Sequence, residues 1–514
     1  GLGFGKSSHL ESGRQGTVRM ICVSIARGQH QAVIETHREL VAQGAKLVEL
    51  RLDYLGRAPD LKRLLSNRPS PVVVCCRRKR DGGRWAGTEE QRQMLLRAAI
   101  ADGAEYVDLE EDIAGQIPRF GQTKRIISFH DFRKTPEDLQ AIYDRMAQLD
   151  PDIIKIVTMA NHPCDNFRML RLVAAAKIPT VGFCMGEMGI PSRILTLKFG
   201  APFTYASFSE ERILAPGQLS FQQMKEIYDC ERINRDTEVY GVIADPVGHS
   251  LSPVIHNAAF RKFGLNKVYV PIRVPREALR QFLEEAPGMG IKGLSVTIPH
   301  KEAVLEKLTM ADSAVQGIGA ANTIIFQNGE VYGYNTDYRA AMDSIHEALN
   351  LPADQPAPLA GKKALVLGAG GVGRAMVYGL LRRGAEVVVT DGDDSRAKLL
   401  AEQFGCRALE WNRRYSVQPD ILINGTPVGM HPNVDETPYD GRYLRPEMLV
   451  FDAVYNPENT LLIKQARMAG CKVITGVEMF VRQACLQFKL FTGIDGPADL
   501  MREVLKRAIS PVKM

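Results

Sequence analysis

The stretch Asp152-Ile153-Ile154-Lys155-Ile156-Val157-Thr158 follows Pro151 and is almost wholly apolar and β-branched. Such a run reads as a short, fully buried strand. Lys155 sits in its middle. A lysine is almost never fully buried without a partner or a purpose. Desolvation disfavours the charged form, so a buried amine can act as a nucleophile. By itself the stretch fits equally well a lysine whose head reaches water at the strand end.

Similar runs recur along the first half, at residues 21–26, 47–52, 72–76, 106–110, 125–129, 153–158, 180–185 and 203–207. Helix-like segments lie between them, among them 32–43, 90–101, 136–148 and 164–176. Eight βα units in succession predict a (β/α)8 TIM barrel. In that fold chemistry sits at the C-terminal ends of the strands, and polar residues fall there. Glu49, Arg51 and Asp53 alternate with Val48, Leu50 and Leu52, so a period of two places all three on one face. Arg77 ends the third strand, Glu110 the fourth and Met185 the seventh, and His130 follows the fifth. One histidine after a strand is more often structural than catalytic. Arginine, histidine and lysine from different strands on one rim point instead to Schiff-base chemistry on a keto acid.

These motifs carry a family resemblance. Residues 48–53 (VELRLD), 128–136 (SFHDFRKTP), 154–156 (IKI), 185–187 (MGE), Ser192-Arg193 and 215–218 (APGQ) occur in an order similar to that of type I 3-dehydroquinate dehydratases. The resemblance implies that Lys155 forms an imine with the substrate ketone. It implies His130 as the acid–base group, and Arg193 as the main carboxylate clamp. Glu49, Arg51, Arg77 and Gln218 match substrate-contacting positions of the family. Two positions depart from its pattern: Asp81 stands where glutamate is usual, and Leu214 where serine is usual. The lost hydroxyl at 214 implies weaker binding, not a dead site.

The chain has 514 residues, which predicts about three domains. Hydrophobic content of 45% and charge content of 24% are those of a globular protein. A net charge of +6 without a dense basic stripe argues against a nucleic-acid partner. Nine cysteines lack metal-site or disulfide-framework spacing, so free thiols and no metal are expected. No apolar run approaches a membrane span, and residues 1–20 read as a disordered tail.

After a final amphipathic helix and charged connector at 221–237, a new unit begins with a strand at 239–244. It continues with Gly248-His249-Ser250-Leu251-Ser252-Pro253. Ser252 before a proline reads as an N-cap, and a helix N-terminus with two serines suits a carboxylate. A strand at 293–298 leads to Pro299-His300-Lys301. Lys301 and Asp337, if on neighbouring strand ends, can hold and protonate a hydroxyl or carbonyl. Beyond a helix and Pro/Ala-rich loop at 341–360, Gly368-Ala369-Gly370-Gly371-Val372-Gly373 joins a strand to a helix at 374–383. In that context GxGxxG is a dinucleotide fingerprint. The next strand, 386–390, ends at Asp391, placed to accept from a ribose diol and to repel a 2′-phosphate. Gln483 and Gln487 share one face of a helix near 477–491.

The second half resembles shikimate dehydrogenase through 248–253 (GHSLSP), 295–301 (SVTIPHK), 321–323 (ANT), 335–337 (NTD), the glycine turn, 424–427 (NGTP) and 476–483. The resemblance implies Lys301 and Asp337 as the catalytic pair. It implies Ser250, Ser252, Thr297, Asn322, Tyr455, Gln483 and Gln487 as substrate contacts. Gly368, Gly370, Gly371, Gly373, Asp391, Thr426 and Gly476 would face the cofactor. NADP-using members carry an Asn-Arg-Thr-like run where this chain has Asp391-Gly392-Asp393, so NAD is expected over NADP.

The expected architecture is α/β throughout. It comprises a barrel at 21–230, a substrate-binding domain at 238–340, a Rossmann domain at 341–475 and C-terminal helices at 476–514 returning to the substrate lobe. The two resemblances imply consecutive steps of the shikimate pathway, with 3-dehydroquinate, 3-dehydroshikimate and shikimate as ligands. Two alternatives remain: an NAD-dependent quinate/shikimate dehydrogenase working catabolically with a weakened dehydratase half, and a ligand-binding regulator built from degenerate enzyme domains. The expected location is the cytoplasm, or the plastid for a plant source.

Overall fold

A computed structural model describes residues 19–209, 217–352 and 354–509. Eight parallel strands form the first unit: β1 Met20–Ile25, β2 Leu47–Arg51, β3 Val72–Cys75, β4 Tyr106–Glu110, β5 Lys124–Asp131, β6 Ile153–Met159, β7 Thr180–Met185 and β8 Phe203–Ser207. They pair in the order β7-β6-β5-β4-β3-β2-β1-β8, the expected barrel, closed except between β7 and β8 among the described residues. Alternate side chains point inward. Cys22, Leu47, Val73, Ile126, Ile153, Val181 and Phe203 form an apolar floor. Lys155, two residues beyond Ile153, therefore points up the barrel interior.

The second sheet holds β9 Glu238–Ala244, β10 Lys267–Arg273, β11 Ile291–Val296, β12 Met310–Ala311, β13 Thr323–Gln327 and β14 Glu330–Tyr334, in the order β10-β9-β11-β13-β14-β12. The third is a parallel sheet: β15 Lys363–Leu367, β16 Glu386–Thr390, β17 Arg407–Ala408, β18 Ile421–Asn424, β19 Leu449–Asp452 and β20 Lys472–Ile474. Its order, β17-β16-β15-β18-β19-β20, reverses direction at β15/β18, where doubly wound sheets bind ligands. The helices Gly476–Thr492 and Ala498–Ile509 lead back to the second sheet, where Val481, Phe488, Met501 and Leu505 pack with Tyr240, Val242 and Phe260. No helix among the described residues is long and apolar enough to cross a membrane.

Several boundaries differ from expectation. β2 stops at Arg51, and Asp53 lies in a 3-10 turn, Leu52–Tyr54, so strand alternation does not aim it. His130 lies within β5 rather than after it. The helix expected near 136–148 begins only at Leu139. The one expected after residue 221 is interrupted by a π turn, Gln223–Ile227. Ser252 is the first helical residue and Leu251 the cap, without a side-chain bond. β11 runs from Ile291 to Val296, leaving Thr297 just past its end. Met20 belongs to β1 and Arg19 directly precedes it; residues 1–18 of the expected tail lie outside the described residues, as does Leu214.

Fully buried Arg92 ties the helix Glu89–Ala101 to the strand ends. It donates to the Cys76 carbonyl at 2.8 Å, to Glu110 at 2.6 Å, and twice to Glu89. Arg92→Met strips Glu110 of its nearest cation while keeping the volume. The expected cost is about 3 kcal/mol, read as a lower urea midpoint for the barrel; an unchanged midpoint would contradict this role.

Candidate active sites

Seven expected residues, Glu49, Arg51, Arg77, His130, Lys155, Arg193 and Gln218, line one cavity of about 110 Å³ at the barrel mouth. Glu49 and Arg51 come from β2, His130 from β5 and Lys155 from β6; Arg77 and Gln218 come from the segments after β3 and β8, and Arg193 from the helix Ile190–Leu195. Lys155 Nζ lies 3.8 Å from Asp108 Oδ2 and 3.9 Å from the centroid of the Tyr205 ring. Two cation-attracting groups thus hold the amine in place. Asp108 is also gripped by Arg77 through bonds of 3.0 and 2.8 Å, and accepts from the Ser128 hydroxyl at 2.6 Å. Burial alone would raise the Asp108 carboxyl, but Arg77 and then Lys155 hold it well below the usual range.

The three arginines differ. Arg77 is engaged by Asp108, and Arg51 by Asp53 through bonds of 3.0 and 2.9 Å. Arg193 is 2% exposed, stacks on Phe183 at 4.5 Å, has a partnerless Nε, and faces no carboxylate at ion-pair distance among the described residues. Burial lowers it to about 10, so it still carries its charge near neutral pH. An unpaired buried cation is costly, and a ligand carboxylate would relieve that cost. Glu49 accepts from Ser24 at 2.8 Å while its other oxygen is buried without a partner. His130 stacks on Phe132 at 5.8 Å. Burial first, then Arg77 and Lys155, push its imidazole well below the ordinary value. Gly217 brings Gln218 to the cavity, because a Cβ there would lie 2.1 Å from the Gly186 carbonyl.

Asp108 and Tyr205 were not among the expected site residues. Their signal was parity: each sits at an inward position of its strand, Asp108 two residues beyond Tyr106 and Tyr205 two beyond Phe203.

In the second half, Lys301 Nζ donates to Asp337 Oδ2 at 2.5 Å, both groups being largely buried. Asp337 is in the first turn of the helix Thr336–Ala348, which Asn335 caps. Asn322 braces that turn, donating to the Thr336 hydroxyl and accepting from its N–H, each at 2.8 Å. Gln487 differs from a simple substrate contact: its oxygen accepts from Ser295 at 2.8 Å and its nitrogen donates to the Asn322 carbonyl and to Thr323. Gln483 donates to the Phe480 carbonyl, and Tyr455 packs on the Phe480 ring at 4.3 Å. The Ser252 N–H donates to Ser250 Oγ at 3.4 Å. Thr297 lies half-buried beyond β11.

The glycine turn fits a dinucleotide. Gly368 has φ +109°, and a Cβ on Gly373 would fall 1.9 Å from the Gly368 carbonyl. Gly370 caps the helix Gly371–Arg382 with no side chain over its N–H groups, which suits a pyrophosphate. A Cβ on Gly371 would strike the Lys301 side chain at 2.7 Å. This glycine therefore also lets the nucleotide turn meet the substrate lobe. Asp391 accepts from the Ala369 N–H at 2.7 Å and from the Asp393 N–H at 2.8 Å. Thr426 donates to Asn424 at 2.7 Å, and Gly476 sits where a Cβ would clash with the Val454 carbonyl.

Residues 21–235 match the family described as type I 3-dehydroquinase, and 242–324 the shikimate dehydrogenase substrate binding domain. Residues 363–450 match NADP oxidoreductase coenzyme F420-dependent, and 476–506 the shikimate 5'-dehydrogenase C-terminal domain. The chloroplastic bifunctional 3-dehydroquinate dehydratase/shikimate dehydrogenase of Arabidopsis thaliana is 38% identical over 98% of this chain and 87% of its own. The shikimate dehydrogenase (NADP(+)) of Methanothermobacter thermautotrophicus is 39% identical over 54% of this chain and 99% of its own. A crystal structure of a shikimate dehydrogenase in complex with NADP+ is 35% identical, with a TM-score of 0.50, covering 54% of this chain and 98% of that one.

A barrel with a lysine at its mouth, joined to a two-lobed nucleotide-binding unit, defines a two-site α/β enzyme. The chain belongs to the bifunctional 3-dehydroquinate dehydratase/shikimate dehydrogenase family.

Because burial, Arg77 and Lys155 hold the His130 imidazole below its ordinary value of 6.5, the acid limb of the barrel reaction's kcat profile should be displaced below pH 6.5; a limb at 6.5 caused by His130 would contradict the geometry. Arg193→Ala should raise the KM of a carboxylate substrate by about a hundredfold, the size of a lost charge-assisted contact. A KM within about twofold of the parent would remove Arg193 from the clamp role.

Proposed function

We propose that the barrel converts 3-dehydroquinate to 3-dehydroshikimate and that the second half reduces that product to shikimate with a nicotinamide cofactor. The observation that carries the first assignment is the pairing, in one cavity, of the Lys155 amine with the unpaired Arg193 guanidinium. Arg193 binds the substrate carboxylate and so orients the ring. The Lys155 amine attacks the ketone and expels water to give an imine, which acidifies the neighbouring C–H. Neutral His130 removes that proton, returns one to the departing hydroxyl, and assists hydrolysis of the imine. Glu49, Arg51 and Gln218 complete the ring contacts, and Arg77 holds Asp108, which in turn holds Lys155.

In the second half, Ser250 and Ser252 take the carboxylate, with Thr297, Asn322, Tyr455 and Gln483 around the ring. Lys301 and Asp337 hold the reacting oxygen and move its proton. Gly368, Gly370, Gly371 and Gly373 admit the pyrophosphate, Thr426 and Gly476 flank the cofactor, and the bound nicotinamide supplies the hydride. The units 21–230, 238–340, 341–475 and 476–514 act as barrel, substrate lobe, nucleotide lobe and returning helices.

NAD is the preferred cofactor in this reading. Asp391 and Asp393 put negative charge where a 2′-phosphate would lie. Arg396 offers limited compensation, since its guanidinium also faces Glu302 at 3.8 Å.

Borohydride added with 3-dehydroquinate should fix a reduced adduct on Lys155, located by peptide mass spectrometry. A folded protein without that adduct would overturn the imine route. Comparing kcat/KM for NADH and NADPH tests the cofactor preference, which equal values would refute.

A further inference from the structure

Glu187 follows Gly186 at the end of β7, on the barrel, yet its carboxylate faces the other half of the chain. Oε1 accepts the Val247 N–H at 3.3 Å, and Oε2 lies 3.9 Å from Arg273 Nη1. A Cβ on Gly248 would meet Oε1 at 3.3 Å. Arg273 also donates to Asp245 at 3.0 Å. Together these residues bracket the turn 245–252, which carries Ser250 and Ser252.

Within the turn, the Ser250 N–H donates to the Val247 carbonyl at 3.0 Å, and the Ser252 N–H to Ser250 Oγ. The Val247 side chain is buried in the substrate lobe, whereas Gly248 and His249 are exposed. The serines are thus registered from Val247, and the Val247 N–H is held by a side chain from the other enzyme. The same barrel segment touches the first site: Gly186 packs against Gly217, beside the cavity residue Gln218.

We propose that Glu187 is a positioning residue for the dehydrogenase, a barrel carboxylate that sets the substrate-carboxylate turn of the other half. This rests on the reading of Ser250 and Ser252 given above. Losing the acceptor leaves the Val247 N–H unsatisfied and lets the turn move. Substrate binding weakens, while Lys301 and Asp337, which Glu187 does not touch, keep their geometry.

The test uses full-length protein and initial rates of shikimate oxidation. Glu187→Ala should raise the KM for shikimate roughly threefold to tenfold, with kcat changed by less than about twofold. Glu187→Gln retains an acceptor for the Val247 N–H and should recover most of the lost affinity. Glu285→Ala removes a separate contact across the same interface, to Arg171 at 3.3 Å, and should leave KM unchanged. Ser252→Ala checks the underlying reading. If it does not raise KM, the turn is not the carboxylate site and both claims fall. If it does, but Glu187→Ala has no effect, acts mainly on kcat, or is matched by Glu285→Ala, the positioning role alone is overturned.

Discussion

The barrel site depends on one buried carboxylate. Asp108 sits at the centre of the barrel with Arg77 on both its oxygens, Ser128 beside it and Lys155 at 3.8 Å. A lone buried charge would cost several kcal/mol, and a pair is tolerated only with good geometry and full hydrogen bonding. Here the acid is satisfied and the lysine is held by Asp108 on one side and the Tyr205 ring on the other. Burial first, and then the positive charge of Arg77 and Lys155, hold the His130 imidazole below its ordinary value. The charges that fix the amine thus also bear on the buried His130 ring.

Charge in the second half is organised by close approach instead. Lys301 leaves the end of β11 and reaches Asp337 on a neighbouring helix, and it fits there because Gly371 has no side chain. The glycine turn therefore satisfies two demands at once. It leaves a helix N-terminus open, and it lets the nucleotide lobe approach the Lys301–Asp337 pair. A side chain at position 371 would press on Lys301.

Most of the fold was legible because periodicity is local. Eight short apolar runs with helices between them gave the barrel, and parity along each strand aimed Glu49, His130 and Lys155 inward. What escaped was set by long-range pairing. Nothing near Arg77 in the chain shows that Asp108, from the next strand, engages both its terminal nitrogens. Nor does the sequence near Gln487 show that Ser295, Asn322 and Thr323 engage its amide. Asp53 and Ser252 were misplaced by one structural step each, since a strand end and a helix start are decided by neighbouring loops. Asp108 and Tyr205 stood at inward positions all along, but one carries no motif and the other looks like core.

The role of the buried carboxylate is tested most directly by Asp108→Asn. This change keeps the shape, removes the charge opposite Lys155 and frees Arg77, while the dehydrogenase of the same chain serves as an internal control for folding. The measurement is dehydratase kcat beside shikimate oxidation. The first should fall by about a hundredfold or more while the second stays unchanged. A variant that dehydrates at close to the parent rate, with the second activity intact, would show that Asp108 does not organise the site.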